Sequence, residues 1–182
     1  MTSFITFQNK IKLMILKTSR LTLRHWSVDD AECLYHFAKN PHIGPVAGWP
    51  PHQSKQDSLN IIKTIFCRDE CYAVVMDDVP IGCAELLLHP DGNHWWGEGS
   101  AELGYWIAEE FQGNGYATEA CETLIKRAFD DLDVKQIYAT FKQDNISSKR
   151  VLEKLGFEYY SQLNNIDYSG RAFREIAMKL EK

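Results

Sequence analysis

No apolar run in the 182 residues is long enough to cross a membrane, and the longest near the start, Leu13 to Leu16, falls short of the ~7–15 residues of a secretory h-region. Neither a membrane span nor a signal peptide is expected. A basic excess is also missing: 20 Lys and Arg stand against 25 Asp and Glu, with a formal charge of -5 and a pI near 5.7. General nucleic-acid binding is therefore disfavoured, and cationic substrates are mildly favoured. The five cysteines, Cys33, Cys67, Cys71, Cys83 and Cys121, are odd in number, lack CxxC spacing and sit in apolar stretches. They read as reduced, buried thiols of a cytoplasmic protein. Cys67 and Cys71 stand four residues apart and could suggest a metal, but no His or acidic residue stands at ligand spacing, so no metal is expected. No internal repeat or linker interrupts the chain.

What is present is the composition of an ordinary globular domain, 45% hydrophobic and 25% charged. Residues 1–13 lack a convincing period and read as an extension, disordered or upstream of a start at Met14. Residues 14–182 are expected to form one domain. A strand over Arg20 to Trp26 carries alternating Leu21 and Leu23. Ser27-Val-Asp-Asp30 then resembles a capping box opening a helix from Asp29 to about Lys39. The Gly- and Pro-rich stretch from Pro41 to Pro51 reads as a loop with Trp49 at its tip. Ser54 caps a second helix to about Arg68, with Leu59, Ile62, Ile65 and Phe66 as its buried stripe.

From Cys71 the period becomes that of strands. Tyr72 to Met76 and Ile81 to Leu88 form a hairpin, and a third strand spans Ala101 to Ile107. Between them, His89, Asp91 and His94 could suggest a metal, but a Pro-Asp-Gly turn explains them better. Trp95 and Trp96 read either as an exposed patch or as rings folded over the sheet. A helix over Tyr116 to Leu132, a strand over Gln136 to Phe141 and a helix over Ile146 to Leu155 follow. Two strands, Phe157 to Asp167 and Arg171 to Leu180, complete the order β-αα-βββ-α-β-α-ββ. The expected fold is α/β (α+β), with a mixed, mainly antiparallel sheet of about seven strands flanked by about four helices.

Gln112-Gly-Asn-Gly-Tyr-Ala117 lies between a strand and a helix, where glycines let backbone N–H groups converge and the helix N-terminus adds positive potential. Such a turn can hold an anion such as pyrophosphate. A dinucleotide fold would need a third small residue at another spacing, and a P-loop would need Gly-Lys-Ser/Thr; neither is present. Asn145-Ile-Ser147 matches a glycosylation sequon, but Asn145 as a helix cap is the better reading.

With Gln112, Gly115 and Ala117 in the pattern Gln/Arg-x-x-Gly-x-Gly/Ala, the chain resembles the GNAT superfamily of N-acetyltransferases. Glu102-Leu-Gly-Tyr-Trp-Ile107 precedes the loop, and Asn145-Ile-Ser-Ser148 and Glu153-Lys-Leu-Gly-Phe157 follow it. Arg20-Leu-Thr-Leu-Arg24 and Trp49-Pro-Pro add to the match, which spans about Leu16 to Leu180 and looks closest to the branch acetylating ribosomal-protein N-termini. The resemblance implies acetyl-CoA as co-substrate and no metal. Ile107 and Ala108 would offer backbone groups to the pantetheine arm and thioester, while Gln112, Gly113, Asn114, Gly115, Tyr116 and Ala117 would hold the pyrophosphate. Asn145 would be a second contact. Many members carry a Tyr seven residues after that Asn as general acid; Leu152 stands there, so the role passes to Ser148. Glu102 is the first choice for general base, Glu109 its competitor, and Trp49 is expected in the acceptor pocket.

The function expected is acetyl transfer to a primary amine, foremost the α-amino group of a protein or peptide. That amine, with a pKa of ~7.7–8, needs less help than a lysine at ~10.4. A polyamine or aminoglycoside acetyltransferase is the alternative, and a non-catalytic CoA-dependent sensor, raised by Leu152, is a third reading. A monomer or homodimer is expected.

Overall fold

Eight strands and five helices form from residues 14–182, the residues described by a computed structural model; the expectation for residues 1–13 lies outside them. In chain order they are β1 (Ile15–Lys17), β2 (Thr22–Arg24), α1 (Ala31–Ala38), α2 (Gly44–Ala47), α3 (Lys55–Thr64), β3 (Cys71–Met76), β4 (Val79–Leu88), β5 (Ser100–Ile107), α4 (Tyr116–Asp130), β6 (Gln136–Lys142), α5 (Ile146–Lys154), β7 (Glu158–Ile166) and β8 (Ala172–Glu181). One sheet runs β1-β2-β3-β4-β5-β6-β8-β7, antiparallel throughout except between β5 and β6.

Two elements go beyond the sequence expectation. The first strand is an arm of a hairpin, because Thr18 N–H bonds Leu21 C=O at 3.0 Å and turns Ile15 back against Arg24. The Gly/Pro stretch contains a single helical turn, α2, closed by Gly48 at φ +94° with its N–H on the Gly44 carbonyl. α3 is shorter than expected, ending at Thr64. Ile65 is therefore 38% exposed, while Phe66 stacks on Trp26 with ring centroids 5.0 Å apart. The β3–β4 turn places Asp77 and Asp78 at φ +47° and +64°, and β4 consequently starts at Val79.

Helices cover both faces of the sheet. On α4 the residues Ala120, Cys121, Leu124 and Ala128 recur at helical spacing and pack, with Leu152 of α5, against Leu103, Ile107 and Ile137. On the opposite face, Leu34, Phe37 and Ala38 of α1 and Ile62 of α3 pack against Ala73, Cys83 and Trp106. Truncating a fully buried leucine such as Leu34 or Leu124 to alanine costs about 2–5 kcal/mol, so each helix is held mainly by its stripe. A buried ion pair ties α4 to the sheet: Arg127 Nε and Nη2 donate to Glu70 at 2.7 and 2.6 Å, and the Tyr72 hydroxyl donates to the same carboxylate at 2.9 Å.

The functional consequence of this topology lies at β5 and β6. They pair in parallel only at Ser100, Ala101 and Glu102, opposite Gln136, Ile137 and Tyr138, although β5 continues to Ile107 and β6 to Lys142. Past Glu102 the two strands part into a fork.

Candidate functional site

Backbone periodicity decides what the fork exposes. The Ser100 carbonyl accepts from His89 N–H at 3.1 Å and Ala108 N–H donates to the Ile81 carbonyl at 2.8 Å, so the even-numbered residues of β5 turn their polar backbone toward β4. The backbone groups of Leu103, Tyr105 and Ile107 therefore face the fork, where β6 no longer pairs with them. An extended polar chain can add to such an open edge as a further strand would. The Ala108 N–H is taken by Ile81, and its carbonyl already accepts from Phe111 N–H at 2.8 Å. Of the two residues expected to offer backbone contacts, Ile107 turns its N–H to the fork and Ala108 has its N–H bonded to Ile81.

The loop after β5 is built to point amides outward. Gly113 and Gly115 adopt φ +78° and +81°, which glycine reaches without the penalty other residues meet, and Gly115 is the N-cap of α4 with no side-chain cap. The first amides of this 15-residue helix have no intrahelical acceptor by geometry. Among the described residues the N–H groups of Gly113, Asn114, Gly115, Tyr116 and Ala117 find no other internal acceptor. Side chains fix the loop from below: Gln112 Nε2 donates to the Ile107 carbonyl at 2.8 Å, and Asn114 Nδ2 donates to the Phe111 and Gln112 carbonyls at 3.2 and 3.1 Å. Gln112 therefore positions the loop through its side chain.

Arg20, from the Arg20-Leu-Thr-Leu-Arg24 segment, stands beside this loop, a placement that no spacing in the sequence marks. Its Nη1 donates to the Asn114 carbonyl at 3.1 Å, its guanidinium lies 4.6 Å from the Tyr116 ring centre, and its Nε donates to Glu119 at 2.7 Å. Partial burial pushes Glu119 up, but hydrogen bonds from Thr18, from Arg20 backbone and side chain, and from Ser19 outweigh it and hold the carboxyl at about 2. Glu119 thus stays ionised and keeps a half-exposed cation beside the Gln112–Ala117 turn.

Across the fork, Asn145 caps α5 by accepting from Ser148 N–H at 3.0 Å through Oδ1. Ser148 meets β5 directly: the Tyr105 hydroxyl lies 2.8 Å from Ser148 Oγ and 3.2 Å from its carbonyl. Burial pushes the Tyr105 phenol up, so it stays protonated. Tyr105 was quoted in the sequence without a role, and only the fork geometry brings it to Ser148. Leu152, in the place of the familiar Tyr, is fully buried in the core under α4 and α5.

The residues expected to serve the acceptor lie on the other face of the sheet. Glu102 is 3% exposed, and its carboxylate is engaged: Asn93 Nδ2 donates to Oε1 at 2.8 Å, while Trp96 Nε1 and His94 N–H donate to Oε2 at 3.0 and 3.3 Å. It holds down the loop between β4 and β5. Trp96 folds over the sheet and stacks on Tyr138 at 4.4 Å, whereas Trp95 is 75% exposed, so the two tryptophans divide the alternatives between them. His94 pairs with Glu175 at 3.0 Å, and among the described residues no group of three or more His, Cys, Asp or Glu could hold a metal ion. Glu109 is an exposed turn residue that accepts from Asn40 Nδ2 at 2.6 Å. Trp49 is half-buried, edge-on to Trp106 with centroids 6.0 Å apart. Gly44 makes room for its ring, because a Cβ there would lie 2.6 Å from it.

Residues 20–158 match the family described as the acetyltransferase (GNAT) domain, a span covering most of the chain. The chain belongs to the GNAT acetyltransferase family. Its fold is similar to that of a GNAT-family acetyltransferase from Bacillus anthracis, with a TM-score of 0.81, 20% identity, and 92% of this chain and 98% of that one covered. RimJ of Mycobacterium smegmatis in complex with CoA-disulfide has a TM-score of 0.76 at 18% identity, over 94% and 88% of the two chains. The microcin C7 self-immunity acetyltransferase MccE, in complex with acetyl-CoA and AMP, has a TM-score of 0.77 at 20% identity, over 90% and 93%. In sequence, a stretch of 57 residues is 44% identical to YdaF of Bacillus subtilis, whose name proposes ribosomal N-acetylation, covering 31% of each chain. An aminoglycoside N(6')-acetyltransferase type 1 of Klebsiella pneumoniae is 25% identical over 84% of this chain and 83% of its own. No helix among the described residues is long and apolar enough to cross a membrane.

Proposed function

We propose that this acetyltransferase moves the acetyl group of acetyl-CoA to the α-amino group of a protein or peptide in the cytoplasm, by direct attack on the thioester. The observation that carries the reading is the fork edge of Leu103, Tyr105 and Ile107 running into the outward amides of Gly113 to Ala117 at the α4 N-terminus. An open strand edge suits the amide-bearing pantetheine arm, and the helix N-terminus with Arg20 suits the phosphates. The residues thus fit acetyl-CoA, which supplies an activated acetyl group. The Ile107 N–H faces the fork as a donor for the oxygen that becomes anionic during attack. Ser148, held by Tyr105 and capped by Asn145, donates a proton to the departing thiolate. Glu102, with both oxygens engaged, keeps the acceptor face in shape, and the Trp49 ring walls the pocket.

The short stretch shared with YdaF supports a protein α-amine, and the aminoglycoside enzyme, which matches more of the chain, favours a second reading. A carboxylate-bearing acceptor face accommodates the cationic amine of either. The test is thiol release with acetyl-CoA over N-terminal peptides, aminoglycosides and polyamines. Fastest turnover with a peptide bearing a free α-amine, and none when that amine is blocked, is the expected result. Preference for an aminoglycoside assigns the second reading. Tight acetyl-CoA binding with no acceptor used makes the protein a sensor.

A further inference from the structure

Glu85 is an acidic side chain of the acceptor face that is paired only loosely, with Arg68 at 3.8 Å and the Cys71 thiol beside it. It lies on β4 opposite Gly104 of β5, and strand alternation puts it on the same face as Glu102 and Trp106. The missing side chain of Gly104 makes room for it: a Cβ at Gly104 would stand 3.1 Å from both Glu85 Cγ and Oε1, so the carboxylate lies over Gly104 of β5. Gly104 is two residues beyond the last β5–β6 pair, where the strands have just parted. Glu85 Oε2 is buried without a hydrogen-bond donor, the nearest cation being Arg68 Nη1 at 3.8 Å. Trp106, nine-tenths buried on the same face, has an indole N–H with no acceptor. Orphan polar groups in a native interior call for a ligand or water to complete them. An orphan acceptor and an orphan donor on one face, beside the opening of the fork, suit an ammonium carried by a polar chain.

We propose that Glu85, lying over Gly104 near the root of the fork, is the catalytic base that takes the proton of the attacking amine. The inference rests on the acetyl-transfer reading above. The ammonium gives one proton to the Glu85 carboxylate, and the nitrogen lone pair then forms the C–N bond with the thioester carbonyl carbon. As the C–S bond breaks, nitrogen loses a second proton, matching the one the departing sulfur takes up. Glu85 returns its proton to solvent. The groups facing it are Arg68, the Cys71 thiol and Glu102; burial pushes its carboxyl up against the pull of Arg68. That direction brings a carboxylate nearer the working pH of a base. Glu102 accepts three hydrogen bonds, from Asn93, His94 and Trp96, whereas Glu85 Oε2 accepts none.

The test compares wild type with Glu85→Gln and Glu85→Asp. Acetyl-CoA affinity is read by calorimetry. Thiol release is followed from about pH 6 to about pH 9.5 with a peptide bearing a free N-terminal serine, with kanamycin and with spermidine. For Glu85→Gln we expect unchanged acetyl-CoA affinity and kcat/KM reduced about 100-fold near neutral pH. The gap should narrow as rising pH supplies free amine from solution, and Glu85→Asp should recover part of the rate. A wild-type pH profile in Glu85→Gln overturns the proposal, as does an equal loss at every pH with weakened acetyl-CoA binding. Should Glu85→Gln not fold, Glu85→Asp decides: a displaced pH profile supports the base and an unchanged one overturns it. Kanamycin or spermidine turned over with the Glu85-dependent profile while the peptide is inert removes the α-amine reading and keeps the base. Binding of acetyl-CoA by wild type with no acceptor used overturns both.

Discussion

The Tyr105 hydroxyl sits 2.8 Å from Ser148 Oγ and joins the open edge of β5 to the first turn of α5 across the fork. Two hydroxyls in contact form a chain along which a proton can pass, and the buried phenol stays neutral enough to donate. Ser148→Ala is expected to lower kcat about tenfold while leaving the Michaelis constant for acetyl-CoA nearly unchanged, because a thiolate with a pKa near ~8.5 needs only modest help to leave. Tyr105→Phe should lower kcat in the same direction. The double variant should fall no further than Ser148→Ala, since the two act as one unit. Steady-state kinetics with saturating amine checks this; additive losses would separate the two residues.

At Gly115 the backbone is left-handed, but the space is not tight: a Cβ there would lie 3.6 Å from Arg20 Nη2, an ordinary contact. Charge should therefore matter more than bulk. Gly115→Asp is expected to weaken acetyl-CoA binding about 100-fold, or about 2.7 kcal/mol, because an anion enters the place of phosphate oxygens. Gly115→Asn, which tolerates a positive φ and carries no charge, should lose much less. Equal affinities for the two variants in a calorimetric titration would remove the phosphates from this loop.

Glu119 links acid stability to the cofactor loop. Its folded pKa of about 2 lies below the ordinary value of 4.5, so the ionised form is the one the fold favours. Its stabilisation is fully present above about pH 5 and is lost as pH falls toward 2. Between neutral pH and about pH 3, the wild type should lose more of its urea midpoint than Glu119→Gln, whose neutral amide does not titrate. Parallel losses in the two proteins would show that Glu119 has no part in acid unfolding.

Trp49 is wedged between Gly44 and Trp106 and still keeps part of its ring in solvent. As a pocket wall it should be dispensable for the cofactor. Trp49→Ala is expected to reduce acceptor kcat/KM about tenfold, about 1.4 kcal/mol, with acetyl-CoA affinity retained. A melting temperature lowered by several degrees together with loss of both ligands would make the indole part of the core.

Much of this architecture was legible in the chain. The stripes of α1 and α4, the apolar runs of β3 to β5, and the Gln112 to Ala117 turn are local patterns, and local patterns survive without knowledge of neighbours. The loop between β4 and β5 was ambiguous because the choice for each tryptophan depended on partners distant in sequence. Trp96 found Tyr138, more than 40 residues away, and Trp95 found water on one side. α2 was hidden because Gly44 and Pro45 read as breakers, whereas Pro fits the first turn of a helix and Gly48 closes it.

The sequence by itself determined the family and the glycine turn before α4, since these depend on residue types at fixed spacing along one strand–loop–helix segment. How many hydrogen bonds each buried carboxylate accepts was decided only in three dimensions. Glu102 and Glu85 look alike as single acidic residues in apolar strands. Asn93, His94 and Trp96 fold back onto the first, while Gly104, on the neighbouring strand, makes room for the second. Register between strands sets those neighbours, and register arises from the packing of the whole sheet against two layers of helices.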